Sequence, residues 1–239
     1  DLGLYFFGFQ LVVTGASVLN QAIESVLAPT LANLRQQDSL ELDALVRTAM
    51  LILLCVSPAC CVGFIASSHL IDLLWSGKWN DSTPVIQCLI LSLPFWFLFS
   101  TVRASLEANG LWKAWLIVFF AYAIGQVLSP VVGAAIGGIV AIAVCVAIFR
   151  AFFCLALFLW RVESIGGVWS VALMQLGKPL AAASGALVIA LLLRGLPTSE
   201  GASLVDALSR SLIFIAIYSV LCLWVLRSEI RQVSTLLRR

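Results

Sequence analysis

Charge is what this sequence has least of. Only 11% of its 239 residues are Asp, Glu, Lys or Arg, where an ordinary soluble domain carries roughly 25%. A globule of this length with so few charges would expose apolar surface that no soluble monomer tolerates. Soluble enzymes, nucleic-acid binders and disordered chains are excluded at this first step. Histidine occurs once, at His69, so acid–base chemistry and metal ligation are poorly supplied. The seven cysteines (Cys55, Cys60, Cys61, Cys88, Cys145, Cys154 and Cys222) are odd in number, lie in apolar runs and form no CxxC. They read as small packing residues, not as a disulfide framework or a zinc site. No metal and no cofactor is implied. The basic residues come one or two per loop and form no stripe, so nucleic acid is not a partner.

What is abundant is hydrophobicity: 62% of residues, with a mean hydropathy of +1.08. The partner for so much apolar surface is membrane lipid. A spanning helix needs about 20 mostly apolar residues. Seven runs reach or approach that length: Leu4–Leu27, Leu45–Ser67, Pro84–Ala104, Trp112–Ser129, Ile136–Trp160, Pro179–Leu193 and Ser211–Leu226. The last two are short and need to borrow flanking residues. Transmembrane strands would alternate, and runs such as Leu51 to Val56 do not. The fold class expected is all-α, a polytopic membrane protein with about seven transmembrane helices.

Between the runs the composition shifts. Residues 33–47 read as a charged helical connector, 69–81 as a short amphipathic piece ending in a turn, and 194–210 as an external loop. The expected organisation is a bundle of about five helices over 1–160 and an amphipathic cytoplasmic connector over 161–178. An additional helix pair over 179–227 and a cytoplasmic tail over 228–239 complete it. Loop charges orient the bundle, because cytoplasmic loops are enriched in Lys and Arg. One side collects Arg35, Arg47, Arg103, Lys113, Arg161, Lys178, Arg227, Arg231, Arg238 and Arg239, and the other only Lys78, Arg194 and Arg210. The C-terminus is therefore expected in the cytoplasm and Asp1 outside. The chain enters its first apolar run directly, without the basic stretch and cleavage site of a leader. It reads as the C-terminal portion of a longer protein.

Four local patterns occur in order: LGLYFFGFQL over 2–11, VLAPTLANL over 26–34, LIDLLWSGKWNDSTPVIQCLIL over 70–91 and ASLEANGLWKAW over 104–115. This order resembles the Wzx-type polysaccharide flippases of the multidrug/oligosaccharidyl-lipid/polysaccharide exporter superfamily. The resemblance covers residues 1 to about 115 and rests beyond that on span count and order. It departs from the family at Gly8, where alanine is usual. Family proteins often place fourteen spans in two lobes around a central cavity. The resemblance implies that these seven are the C-terminal lobe plus two extra helices, and that the N-terminal lobe of the same protein is a missing partner. It implies a bacterial inner-membrane transporter, not an enzyme, that moves a lipid-linked oligosaccharide for exopolysaccharide, O-antigen or capsule assembly.

Candidate functional residues are the ionisable groups inside spans, where a charge costs roughly 2.5–3.5 kcal/mol on insertion scales. Arg150 lies at mid-depth of its span, beside the mostly small Ala143, Val146, Ala147 and Cys154. Guanidinium matches phosphate oxygens in a fork geometry, so one reading is a contact to the pyrophosphate headgroup of a lipid-linked sugar. The other is a structural ion pair with a carboxylate on another span, or snorkelling. Asn20 and Glu24 are i, i+4 on one helix face, and form either a cavity-lining stripe or an interfacial one. Glu24 is the candidate for ion coupling, by elimination. Arg103 and Glu107 are spaced to pair locally. Trp75, Gly77, Lys78 and Trp79 read as an external turn anchored by its tryptophans, with sugar contact as the alternative. Gly133/Gly137 and Ala181/Gly185 mark close helix packing, and Pro58 a hinge. The alternative function classes are a membrane transferase, an exporter of drugs or peptidoglycan lipid precursors, and a non-transporting partner.

Overall fold

The computed structural model describes residues 2–34, 38–192 and 204–225, and every regular element among them is helical. Seven helices follow in order: α1 (Leu2–Leu34), α2 (Asp38–Trp75), α3 (Thr83–Ala108), α4 (Trp112–Ile136), α5 (Gly138–Ser164), α6 (Trp169–Leu192) and α7 (Leu204–Val225). A short 3-10 turn, Asn80–Ser82, leads into α3. The first six helices are long and apolar enough to cross a membrane. In α7 the apolar stretch is the shorter Ala207–Leu223. The tail over 228–239, the loop arginine Arg194 and Arg35 lie outside the described residues.

Two stretches expected between spans are continuous with a span. Residues 38–47, expected as a helical connector, and 69–75, expected as a short amphipathic piece, form the two ends of α2. A hydrogen-bonded helix is the cheapest way to carry backbone into lipid, so polar flanks of adequate propensity simply extend the span. The segment 161–178 is divided: α5 runs on through Ser164, and α6 starts at Trp169. The span expected from Pro179 thus borrows the amphipathic turns before it.

α3 is the central helix. Its span is 61% buried, against 17% for α1 and for α4, because α1, α2 and α5 all pack on it. The apolar core is divided along the bundle. Towards the end that carries Glu41, Arg103 and Arg161, called here the basic end, it holds Leu31, Leu45, Leu53, Leu98, Leu106, Phe158 and Leu176. Towards the opposite end it holds Val12, Ile71, Val85, Leu89 and Val146. A third cluster joins α6 and α7 to α2. There Ala182, Ala183, Ala186 and Ala190 make a small-residue face that lets Phe214, Tyr218 and Cys61 approach. α4 presents Leu116, Ile117, Phe120, Val127, Val131 and Ile136 outward, an apolar face that suits lipid.

Close packing appears where the glycine spacing predicted it, but only at one member of the pair. A Cβ on Gly133 would sit 2.5 Å from the Ile142 Cα, so α4 and α5 touch backbone to backbone there. Gly137 instead makes the reversal between α4 and α5, with φ of 123° followed by 79° at Gly138, values open only to glycine.

Pro58 lies inside α2 and cannot donate to the Leu54 carbonyl one turn earlier. The Tyr218 hydroxyl on α7 donates to that carbonyl at 2.8 Å. The hydrogen bond that proline removes is therefore replaced from another helix, as membrane helices require.

Candidate functional site

The buried face of α5 runs Ala143, Val146, Arg150, Cys154, Leu157, Phe158, Arg161 and Val162. Two arginines thus stand in one otherwise apolar stripe, and their surroundings differ completely. Arg161, near the basic end, is paired. Its Nη2 donates to Glu41 at 2.9 Å, its Nε to Ser105 Oγ at 2.8 Å and its Nη1 to Ser164 at 3.2 Å. Glu41 also accepts from Ser105 at 2.9 Å and from Asn109 Nδ2 at 2.7 Å. Glu41 and Arg161 are 2% and 5% exposed, so this ion pair locks the start of α2, the end of α3 and the end of α5 in a water-poor setting.

Arg150 sits beside residue 151, the midpoint of α5, and is 3% exposed. No carboxylate pairs with it among the described residues, and the side chain is enclosed within the bundle. The small neighbours leave no open room beside it either. Two aromatic rings fill the space, Trp96 of α3 at 5.3 Å and Phe9 of α1 at 5.6 Å from the guanidinium carbon. These are cation–π distances. Nη2 donates to Gln126 Oε1 of α4 at 3.4 Å, and the Tyr122 hydroxyl stands within hydrogen-bonding reach of both side chains. Nε and Nη1 have no acceptor. Gln126 Nε2 and Ser129 Oγ, one turn further along α4, are also buried without a partner.

Asn20 and Glu24 are brought together as the spacing implied: Asn20 Nδ2 donates to Glu24 Oε1 at 2.9 Å. They turn to α3, not to an open cavity. Ser100 Oγ donates to Asn20 Oδ1, and Arg103 lies 3.5 Å from Glu24 while donating to Glu107 at 2.8 Å. The carboxylate considered for ion coupling therefore shares an arginine with a second carboxylate. Asn20 and Glu24 stand apart from Arg150, closer to the basic end.

The turn carrying Trp75, Gly77, Lys78 and Trp79 is held by aromatic contacts to α1. Ser76 and Gly77 take positive φ, 50° and 80°. Trp79 stacks on Phe7 of α1 at 4.4 Å, Trp75 meets Phe7 edge-on at 5.1 Å, and Lys78 lies 5.8 Å over Trp79. The tryptophan faces are thus engaged with α1.

Sequence reasoning did not find the Glu41–Arg161 pair, in which 120 residues separate the partners. A signal was available. Glu41, Leu45, Ala49 and Leu53 recur at i+4 and are all buried, so the acid stands on a core stripe of α2 just as Arg161 does on α5.

A cleft of about 950 Å³ opens between α1 and α2 over α3, lined by apolar groups such as Leu11, Leu19, Val26, Ile52, Val56 and Leu93. It lies within the spans and shares no lining residue with the Arg150 cluster.

These features define a class: an all-helical, multi-pass membrane protein with polar groups fixed inside its bundle. Its first 84 residues match the model of a family described as polysaccharide biosynthesis protein. No curated protein matches the chain in sequence. Over 95% of its length the chain superposes on a solved structure titled "Lipid II flippase MurJ, inward closed conformation", with a TM-score of 0.73 and 16% identity. The chain spans about half of that structure, 48% of its length. The chain shares its fold with about half of that structure, and the family match covers two of the four sequence patterns in full and most of the third. Together they support the polysaccharide and lipid-linked-precursor flippase family that those patterns implied.

Proposed function

We propose that this chain is one lobe of a flippase that carries a phosphate-linked sugar lipid across the bacterial inner membrane for cell-surface polysaccharide assembly. The N-terminal lobe of the same protein is its partner, and the C-terminus lies in the cytoplasm. The observation that carries the reading is Arg150, a guanidinium at mid-depth that faces no carboxylate among the described residues and whose Nε and Nη1 make no hydrogen bond there, on a fold shared with a lipid flippase. A cation in lipid is retained where it pairs with an opposite charge or where it handles a charged cargo, and among the described residues this one has no counter-charge.

The test is complementation of a flippase-deficient strain with the full-length gene. Wild type is expected to restore surface polysaccharide, and Arg150→Ala is expected to lower it at least tenfold at equal membrane abundance. Normal polysaccharide from the variant would remove Arg150 from transport. No restoration by wild type, with the protein present in the membrane, would overturn the flippase reading.

A further inference from the structure

Five buried side-chain polar atoms among the described residues lack a hydrogen-bond partner, and four of them belong to Arg150, Gln126 and Ser129. Gln126 accepts from Arg150, and Ser129 lies one turn from Gln126 on α4. Buried donors normally find acceptors, and leaving a charged one unpaired is the costliest case. The three side chains offer guanidinium, amide and hydroxyl hydrogens; beside Arg150 and Gln126 stands the neutral Tyr122 hydroxyl, and no carboxylate among the described residues pairs with them. That is the donor set of an oxyanion site. None of the four atoms touches solvent, so the site is shut in this conformation. Phe9 and Trp96 close it, their π faces standing in for the missing acceptor.

We propose that Arg150, Gln126 and Ser129 form an oxyanion-binding site for a phosphate or pyrophosphate group, and that the rings of Phe9 and Trp96 are its lid. The proposal rests on the flippase reading only for its biological meaning, since the site itself is defined by these side chains. Binding requires the lid to separate from the guanidinium. Apparent affinity is therefore reduced by the fraction of time the lid is shut. This gives the lid a signature that a structural contact lacks. Removing Phe9 raises the open fraction and tightens binding, whereas loss of a merely structural ring weakens it or leaves it unchanged.

The experiment is calorimetric titration of inorganic pyrophosphate into the full-length protein in phosphatidylcholine nanodiscs. Saturable binding is expected. Arg150→Gln should weaken it at least tenfold, Gln126→Leu should weaken it several-fold, and Arg150→Lys should retain part of it. Phe9→Ala should tighten it, by about 5- to 30-fold if the ring contact follows desolvated cation–π strengths. A second arm uses nanodiscs containing phosphatidic acid. Weaker pyrophosphate binding there shows that a lipid headgroup enters the same site, and unchanged binding shows that free phosphate alone does; both outcomes support the site. Binding that is absent in both arms, that is insensitive to Arg150→Gln, or that Phe9→Ala weakens overturns the proposal. Unaltered far-ultraviolet circular dichroism in each variant confirms that the helices are intact. Complementation reports separately on flipping: pyrophosphate binding without complementation leaves the site standing and sinks the flippase reading, and the converse result does the opposite.

Discussion

Glu41→Ala tests the buried ion pair at the basic end. Glu41 receives hydrogen bonds from Arg161, Ser105 and Asn109, and removing it leaves the Arg161 guanidinium 5% exposed with no counter-charge. Breaking one side of a buried pair costs about 3–5 kcal/mol. For a chain of this size each kcal/mol moves the melting temperature by roughly 2–4 °C, so a fall of roughly 6–20 °C follows. Replacing both partners with apolar residues, as in Glu41→Leu with Arg161→Met, removes the unpaired charge. Asn109 keeps its bond to the Ser105 carbonyl at 2.9 Å, so the double variant should recover most of the loss. Thermal unfolding of the full-length protein in detergent micelles, followed by circular dichroism, reads both effects. A Glu41→Ala protein that melts within about 2 °C of wild type, or a double variant no better than the single, would refute the reasoning.

Other expected outcomes rest on single contacts. Tyr218→Phe deletes the hydrogen bond to the Leu54 carbonyl and should cost about 1 kcal/mol in the same melting assay. Pro58→Ala restores a donor for that carbonyl and straightens α2. It should slow transport in the complementation strain, and unchanged transport with unchanged cavity accessibility would remove the hinge. Gly133→Ala forces a Cβ to 2.5 Å from the Ile142 Cα and should sharply reduce the yield of folded protein, while Gly177→Ala, with nothing within 4 Å, should not. Trp79→Ala removes the ring stacked on Phe7 at 4.4 Å and should lower stability by about 0.5–1.5 kcal/mol beyond its lost area. Lys78→Ala beside it should change melting little, because its ammonium is exposed.

The spans were legible because lipid demands long apolar runs, and nothing else in a chain looks like one. Their ends were not. Residues 38–47 carry enough charge to read as a helical connector separate from the span, yet in α2 Glu41 faces inward, while Asp43 and Arg47 pair at 2.8 Å on the exposed side. Composition averages over a helix circumference, and the two faces become distinct only once neighbours are placed. Arg150 was singled out from depth alone. What surrounds it came from Phe9, Trp96 and Gln126, which belong to three other helices and have no local signature. The pairing of Arg103 with Glu107 was readable from i+4 spacing; that Glu24 joins them across 79 residues was not.

The bond from Tyr218 to Leu54 has a consequence for how this chain can change over generations. Proline at 58 without tyrosine at 218 leaves a bare carbonyl in lipid. Tyrosine at 218 without proline at 58 leaves a hydroxyl that shares the carbonyl with a helical N–H, and a carbonyl can accept from both. Losing the tyrosine first is penalised, and losing the proline first is not. Among related sequences proline at 58 should therefore be accompanied by a donor at 218, and helix α7 should be lost only from those whose second helix has also lost its proline.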